Sequence, residues 1–383
     1  MIYFDNAATT WPKPSRVIKE VETTMRFRGG NPSRSGHPMA EVAGKVIYRT
    51  RQTLATHFGT EPERVILCPG ATYAINIAMK AVLGAGGHFL ISDMEHNAVL
   101  RPAYALAARG AAFDSFDALL PPEEMVRQIE GKLRPDTVAV ICIHSCNAAP
   151  VTLPIARIGA LCQRKGILFI VDAAQSAGHI PISMTELNVD ALCLPGHKGL
   201  MGPQGCGALL LSQRMAQRLA HAPTLIEGGS GILSMDRTMP DTLPERFEPG
   251  TPPTPLIAGL RAGVCFLEKV GYDEIMEREE QIYTILRGEM LNIPGICVYL
   301  PESEKGNIIL FNMKGMPSHE AGARFDKEGI CLRYGFHCAP AVHKKLGTGP
   351  HGALRIGIGW NNTKKEAFEF LSFLWKMQKG GIV

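Results

Sequence analysis

Lys198 lies in Pro195-Gly196-His197-Lys198-Gly199-Leu200-Met201-Gly202-Pro203-Gln204-Gly205, a loop dense in glycine and proline. Apolar runs flank it, Asp190 to Leu194 before and Gly207 to Leu211 after, and each reads as a strand. Such a loop suits an amine that must be held still in a crowded pocket. A Schiff-base lysine has that need: it must lose a proton to attack an aldehyde, and burial near cations or dipoles lowers its pKa. A solvated lysine at the tip of a hairpin fits the same stretch. The rest of the chain has to decide between them.

Other residues with chemical reach fall at the ends of apolar runs. Asp172 closes Ile167-Leu168-Phe169-Ile170-Val171. A carboxylate there can hold a protonated ring nitrogen, or it can cap a turn. Gln175, three residues on, reaches the same ligand. Gly70-Ala71-Thr72 leads into a helix, where backbone N–H groups and a hydroxyl make a phosphate seat. The same threonine serves equally as an ordinary N-cap. His96 follows Glu95 after a strand and suits stacking on a ring, proton shuttling, or a satisfied core position. Asn147 also lies just past a strand.

A second cluster is Arg333-Tyr334-Gly335-Phe336-His337-Cys338-Ala339-Pro340. Here a strand runs into a small-residue loop. Cationic neighbours, Arg333 and His337, would favour a nucleophilic Cys338 thiolate. Free cysteines are more often buried and inert, but the flanking Gly, His and Pro argue against a core strand. Arg355 sits inside the apolar Leu354-Arg355-Ile356-Gly357. A buried guanidinium needs an anion, and either a structural Asp or Glu or a substrate carboxylate would serve.

The elements that must position these groups are legible as period and punctuation. From Val65 to Asp172 the chain alternates strand, turn and helix, which implies an α/β protein with a mostly parallel sheet. In such sheets ligands bind beyond the carboxyl ends of the strands. Ser15 to Phe27 reads as a helix with Ser15 as its cap, and Met39 to Phe58 as another. Between them a polar loop with Arg34 and His37 has the length of an active-site loop. After residue 255 long helices give way to a smaller α+β unit, with strands at Ile296, Asn307, Ile330 to Arg333 and Ala353, and a last helix from Thr363. The expected division is a large domain of 15–255 and a small domain of 1–14 with 256–383.

The 383 residues are 45% hydrophobic and 20% charged, an ordinary globular mix. A formal charge of +4 gives no footing for nucleic acid or an anionic membrane. Ten scattered cysteines without a CxxC pair speak against zinc and for a reducing cytoplasm. The opening residues have neither the basic nor the apolar region of a leader, and no run is long enough to span a bilayer. The expectation is a soluble cytoplasmic protein without metal.

Taken together, several segments are similar to the cysteine desulfurase and selenocysteine lyase family, pyridoxal-phosphate (PLP) enzymes of the class V aminotransferase group. They are Asp5-Asn6-Ala7-Ala8-Thr9, Glu95-His96, Val171-Asp172-Ala173-Ala174-Gln175, Gly196-His197-Lys198, Arg246-Phe247-Glu248-Pro249-Gly250-Thr251 and Arg333-Tyr334-Gly335-Phe336-His337-Cys338, in the family's order. The resemblance implies a fold type I enzyme, usually a homodimer with sites at the interface. Lys198 matches the lysine that holds the cofactor covalently, Asp172 the partner of the pyridine nitrogen, and His96 the residue stacked on the ring. Gln175 matches a contact to the phenolic oxygen and Asn147 a polar contact nearby. Ala71, Thr72 and His197 match phosphate-side positions, and Thr251 a phosphate contact from the other subunit. Arg355 matches the clamp on the substrate α-carboxylate, and Cys338 the cysteine that takes sulfur as a persulfide, with Arg333 close by.

The implied reaction releases alanine from L-cysteine or L-selenocysteine, with an acceptor protein taking the sulfur. Other enzymes of the superfamily transaminate, but a transaminase needs no thiol. The compact cysteine loop resembles the branch that includes sulfur-transferring assembly enzymes and selenocysteine lyases. One departure is Pro195, which stands where relatives place a phosphate donor and offers neither hydroxyl nor N–H. Thr72, His197 and Thr251 are expected to carry more of the phosphate.

Overall fold

The computed structural model describes residues 1–32, 36–84, 86–300, 302–303 and 305–379. Arg34 lies outside the described residues; His37 caps the helix that follows, its Nδ1 accepting from the Ala40 N–H at 3.3 Å. In chain order the elements are β1 (Ile2–Tyr3), α1 (Ser15–Phe27), α2 (Pro38–Phe58), β2 (Val65–Cys68), α3 (Ala71–Leu83), β3 (Gly87–Ser92), α4 (Asn97–Ala107), β4 (Ala111–Phe116), α5 (Pro122–Lys132), β5 (Thr137–Ile143), α6 (Ile155–Lys165) and β6 (Leu168–Asp172). They continue with β7 (Ala191–Pro195), β8 (Gly207–Leu211), α7 (Gln213–Leu219), α8 (Thr254–Val270), α9 (Tyr272–Leu291), β9 (Ile296–Val298) and β10 (Ile308–Met313). The last are α10 (Ser318–Lys327), β11 (Ile330–Cys331), β12 (Arg333–Gly335), α11 (Pro340–Leu346), β13 (Ala353–Gly357) and α12 (Lys364–Gln378).

Seven strands form the main sheet, in the order β2-β8-β7-β6-β5-β3-β4. All are parallel except β8, which runs against both β2 and β7. The continuous apolar runs follow from burial on both faces. Along β8, Ala208 and Leu210 enter the core shared with α2, α6 and α8, while Leu209 and Leu211 enter the core shared with α3, α4 and α7. The protein is thus an α/β structure with a mostly parallel sheet.

A separate antiparallel sheet, β12-β13-β10-β9, packs its apolar face on α9, α10 and α12 around Phe311, Phe325, Phe370 and Leu374. Next to it β1 pairs with β11 in parallel, Ile2 opposite Ile330. The opening residues therefore pack with residues from the end of the chain.

Local readings changed in four places. Ser15 is the first helical residue of α1, and the cap is Pro14 with no side-chain hydrogen bond. Gly70, not Thr72, precedes the first residue of α3, so Thr72 lies inside the first turn. The single strand expected over 330–333 is two strands, because the chain leaves β1 after Cys331 and joins β13 at Arg333. The short helices α7 and α11 were not anticipated; Pro340 at the first position of α11 was the available signal.

The Lys198 loop does connect an antiparallel pair, β7 and β8, but it folds inward. Leu200 and Met201 are fully buried. Its approach to the segment after β6 depends on two glycines. A Cβ on Gly199 would lie 2.3 Å from the Ala177 carbonyl oxygen, and one on Gly178, at φ +90°, would lie 2.2 Å from Gly199.

Candidate active site

A cavity of ≈ 400 Å³ opens beyond the carboxyl ends of the main-sheet strands. Ala71, Thr72, His96, Asn147, Asp172, Gln175, His197 and Lys198 all line it, together with Gly70 and Pro195. The parallel strands explain the convergence. Asp172 ends β6, Asn147 follows β5, His96 follows β3, and the β7–β8 hairpin carries His197 and Lys198 over the same edge.

Lys198 is held in an environment that resists its charge. Burial, the largest effect, pushes its amine down to about 8; the Asp172 carboxylate opposes this, while Arg355 and Arg333 reinforce it. Burial also raises the pKa of Asp172, whose Oδ1 accepts the Ala174 N–H at 2.9 Å. Burial lowers His96 and His197 to about 4 each, with Lys198 contributing to both. Both imidazoles are therefore neutral at pH 7. His96 caps α4, its Nδ1 accepting the Ala98 N–H at 3.0 Å. The loop itself is tied down from the N-terminal segment. The His197 carbonyl accepts from Thr10 N at 3.1 Å, Thr9 Oγ1 at 3.1 Å and Lys13 Nζ at 2.6 Å.

The residues fit a phosphorylated pyridine aldehyde. At the start of α3 the first N–H groups have no intrahelical partner, and a Cβ added at Gly70 would meet nothing within 4 Å. That leaves an open, electropositive cradle beside the Thr72 hydroxyl. His197 Nδ1 and Asn147 Oδ1 are buried on the cavity wall without a hydrogen-bond partner, and buried polar atoms of this kind ordinarily have one. Asp172 is a carboxylate whose charge needs a cation. Gln175 is already committed on one side, its Nε2 donating to the Ala7 carbonyl at 2.9 Å. Pro195 lines the cavity and supplies no donor.

The small sheet does not line the cavity but borders its wall through Asn147 and Asn97. Arg355, on β13, is 1% exposed. Its Nη1 donates to the Asn147 carbonyl at 2.8 Å and its Nη2 to Asp5 Oδ1 at 2.7 Å, while Nε has no partner. Of the two kinds of anion that could serve it, the structural one is thus present. The sequence gives Asp5 no sign of this role: 350 residues separate it from Arg355, and no local pattern links them. Cys338 is exposed. Its carbonyl accepts from the Asn97 N–H at 2.8 Å, and the carbonyl of His337 accepts from Asn147 Nδ2 at 2.7 Å. The thiol segment therefore borders the cavity wall at His96–Asn97 and Asn147. Arg333, exposed, is opposite Arg355 in the β12–β13 register.

One expected placement differs. His337 is not a cationic neighbour of the thiol: its ring is buried, pushed down to about 2 by burial and then by Arg355 and His343, and turned toward His343. Thr251, which the family resemblance assigns to the other subunit's site, does not line its own chain's Lys198 cavity. It lies on the Pro249–Pro253 loop over a second cavity, 3.5 Å from Asn31 Nδ2.

Residues 2–370 match the family described as Aminotransferase class-V. The chain belongs to this family. Among the relatives of this chain is a probable cysteine desulfurase of Xylella fastidiosa, 31% identical over 99% of this chain and 91% of its own. Among solved structures, the apo cysteine desulfurase of Thermococcus onnurineus superposes with a TM-score of 0.88 at 26% identity, covering 99% of this chain and 95% of that one. The cysteine desulfurase CsdA of Escherichia coli shares the fold, with a TM-score of 0.86 at 22% identity over 100% of this chain and 95% of its own.

The Arg355–Asp5 pair gives a direct test of how this class-V site is held. Asp5→Ala leaves a buried guanidinium without its anion, which costs about 3 kcal/mol. Urea unfolding should show a lower midpoint than wild type; an unchanged midpoint would mean that the pair does not hold β13 to the N-terminal segment.

Proposed function

We propose that this protein is a PLP-dependent cysteine desulfurase, converting L-cysteine to L-alanine and leaving the sulfur on Cys338 as a persulfide. The observation that carries this reading is the docking of an exposed Cys338 against the wall of a cavity that holds a half-buried lysine and a buried aspartate.

Each residue then has a task. Lys198 anchors the cofactor and Asp172 keeps its ring nitrogen protonated. Ala71, Thr72 and His197 hold the phosphate, His96 covers the ring face, and Gln175 and Asn147 hold its polar edge. When bound, PLP supplies an electron sink for the pair released at the substrate Cα. Arg355, with Arg333 and Asn147 beside it, orients the substrate carboxylate. Lys198 Nζ, with its pKa near neutrality, can take the Cα proton and return one. The Cys338 thiolate attacks the substrate sulfur: a new S–S bond forms, the Cβ–S bond breaks, and Cβ gains a proton to give alanine. Cysteine and the enzyme thiol thereby yield alanine and the persulfide with no outside oxidant. An acceptor thiol, free or on a partner protein, then removes the sulfur. L-Selenocysteine would enter the same site. All ten cysteines are free, which supports a reducing cytoplasm, and among the described residues no helix is long and apolar enough to cross a membrane.

A homodimer completes the reading. Ile18 and Met25, seven residues apart on α1, are 59% and 67% exposed, and Phe27 is 67% exposed. The Ile18–Met25 face, and the place of Thr251 on an adjoining cavity rather than its own chain's Lys198 cavity, both support an interface at which Thr251 serves the neighbouring site. Sedimentation equilibrium should return twice the chain mass of 41.6 kDa; a monomer active at the same concentration would remove this part.

Cys338→Ala should retain the cofactor absorbance of the wild type and lose alanine and sulfide production from L-cysteine. An unchanged rate would end the role of Cys338, and a keto acid as product would mark a transaminase. The state of Lys198 has its own signature. The protonated amine is not nucleophilic, and its pKa is depressed to about 8. The rate at which the apoenzyme takes up PLP should therefore rise as pH increases through about 8. A rise centred near the ordinary lysine value of 10.5 would show a solvated amine.

A further inference from the structure

Cys338 and the residue before it are both held in the left-handed region, His337 at φ 52° and Cys338 at φ 55°. Side chains with a Cβ disfavour that conformation, so two in succession persist only where the surroundings impose them. The two carbonyl contacts to Asn147 and Asn97 act on the backbone from the cavity side. The other side is held by a buried chain of hydrogen bonds that the proposed chemistry does not use.

His337 Nδ1 is 3.0 Å from His343 Nε2, and the two rings are 16° from parallel with centroids 5.1 Å apart. His343 Nδ1 is 2.8 Å from Thr348 Oγ1, and His337 Nε2 is 3.4 Å from the Arg333 carbonyl. The protons can be assigned from the far end. A carbonyl only accepts, so His337 Nε2 carries the hydrogen and its Nδ1 is the acceptor. His343 must then donate from Nε2 and accept at Nδ1, where the Thr348 hydroxyl donates. The chain runs one way, Thr348 to His343 to His337 to Arg333, with both rings neutral. Burial agrees with that state, pushing His343 down to about 4 and His337 to about 2. Thr348 is fixed in turn, because its carbonyl accepts from Asn312 Nδ2 of β10 at 3.1 Å. The same helix that carries His343 is latched to the main sheet by Lys345, whose Nζ reaches Asp93 Oδ2 at 2.5 Å and Asp117 Oδ1 at 2.6 Å.

We infer that His343 is a positioning residue for the Cys338 thiol, acting through its hydrogen bond to His337 to hold the thiol-bearing turn in its left-handed conformation. This rests on the reading of Cys338 as the sulfur-receiving group. Two substitutions separate the hydrogen bond from packing. His343→Phe keeps a ring and removes the donor; His343→Gln keeps a donor near the position of Nε2.

In the PLP-loaded enzyme, His343→Phe should lower kcat for alanine release roughly 10-fold or more, with the KM for L-cysteine and the cofactor absorbance unchanged. Amide hydrogen exchange over residues 336–346 should accelerate in the same variant. His343→Gln should restore both measurements most of the way. Wild-type kcat and exchange in His343→Phe overturn the inference, and so does equal impairment in the Gln and Phe variants, which would leave only ring packing. Should His343→Phe fail to fold, Thr348→Val removes the hydroxyl that donates to His343 Nδ1. It should show the same two changes to a smaller degree, and wild-type values would overturn the directional chain. Cys338→Ala separates the layers: full turnover there overturns the sulfur chemistry, while exchange over 336–346 still reports whether His343 holds the turn.

Discussion

A guanidinium with almost no access to water must be answered by its surroundings, and Arg355 is where three parts of the chain meet that demand. Asp5 comes from the opening segment, Asn147 from the loop after β5, and the arginine itself from the small sheet. Isolated, such a charge would be too costly to bury. Once answered, it ties the small sheet to the opening segment and, through the Asn147 carbonyl, to the wall of the cavity. Its unpartnered Nε leaves donor capacity in a site that would receive a carboxylate.

The same constraint sets the protonation of everything nearby. Lys198, Arg355 and Arg333 crowd positive charge around the cavity, and the carboxylates Asp172 and Asp5 answer only part of it. The histidines bordering it respond by staying neutral, since a further cation would be opposed by both burial and its neighbours. Neutral imidazole can lie against a ring, accept a hydrogen bond, or donate one. The class-V site thus acquires its chemical character from burial first and from charge second.

The parallel sheet and the residues at its strand ends were legible because both are local: apolar runs, turn residues, and the polar group just past each run. Lys198, Asp172, His96, Asn147, Gln175 and Thr72 meet in one cavity for that reason. Less legible was whatever depends on partners far apart in the chain. Asp5 carried no sign of its arginine. The break between β11 and β12 follows from two different neighbours, β1 and β13, that no single stretch reveals. His337 looked like a cation beside a thiol, and only its burial against His343 shows otherwise. Thr72 as a cap lost to Gly70, whose missing side chain leaves the helix start open to the cavity.

The parallel pairing of β1 with β11 places Ile2 beside Ile330, and the Asn6 N–H on the Gly357 carbonyl. During synthesis the ribosome makes these partners hundreds of residues apart, at ~5–20 residues per second. For ~20 seconds or more the opening segment, with Asp5 and the threonines that grip the lysine loop, has no place to dock. The main sheet can form in that interval from its own neighbouring strands. Arg355 arrives only with β13, so a nascent chain stalled before that strand would carry Lys198 without the arginine that helps to lower its pKa.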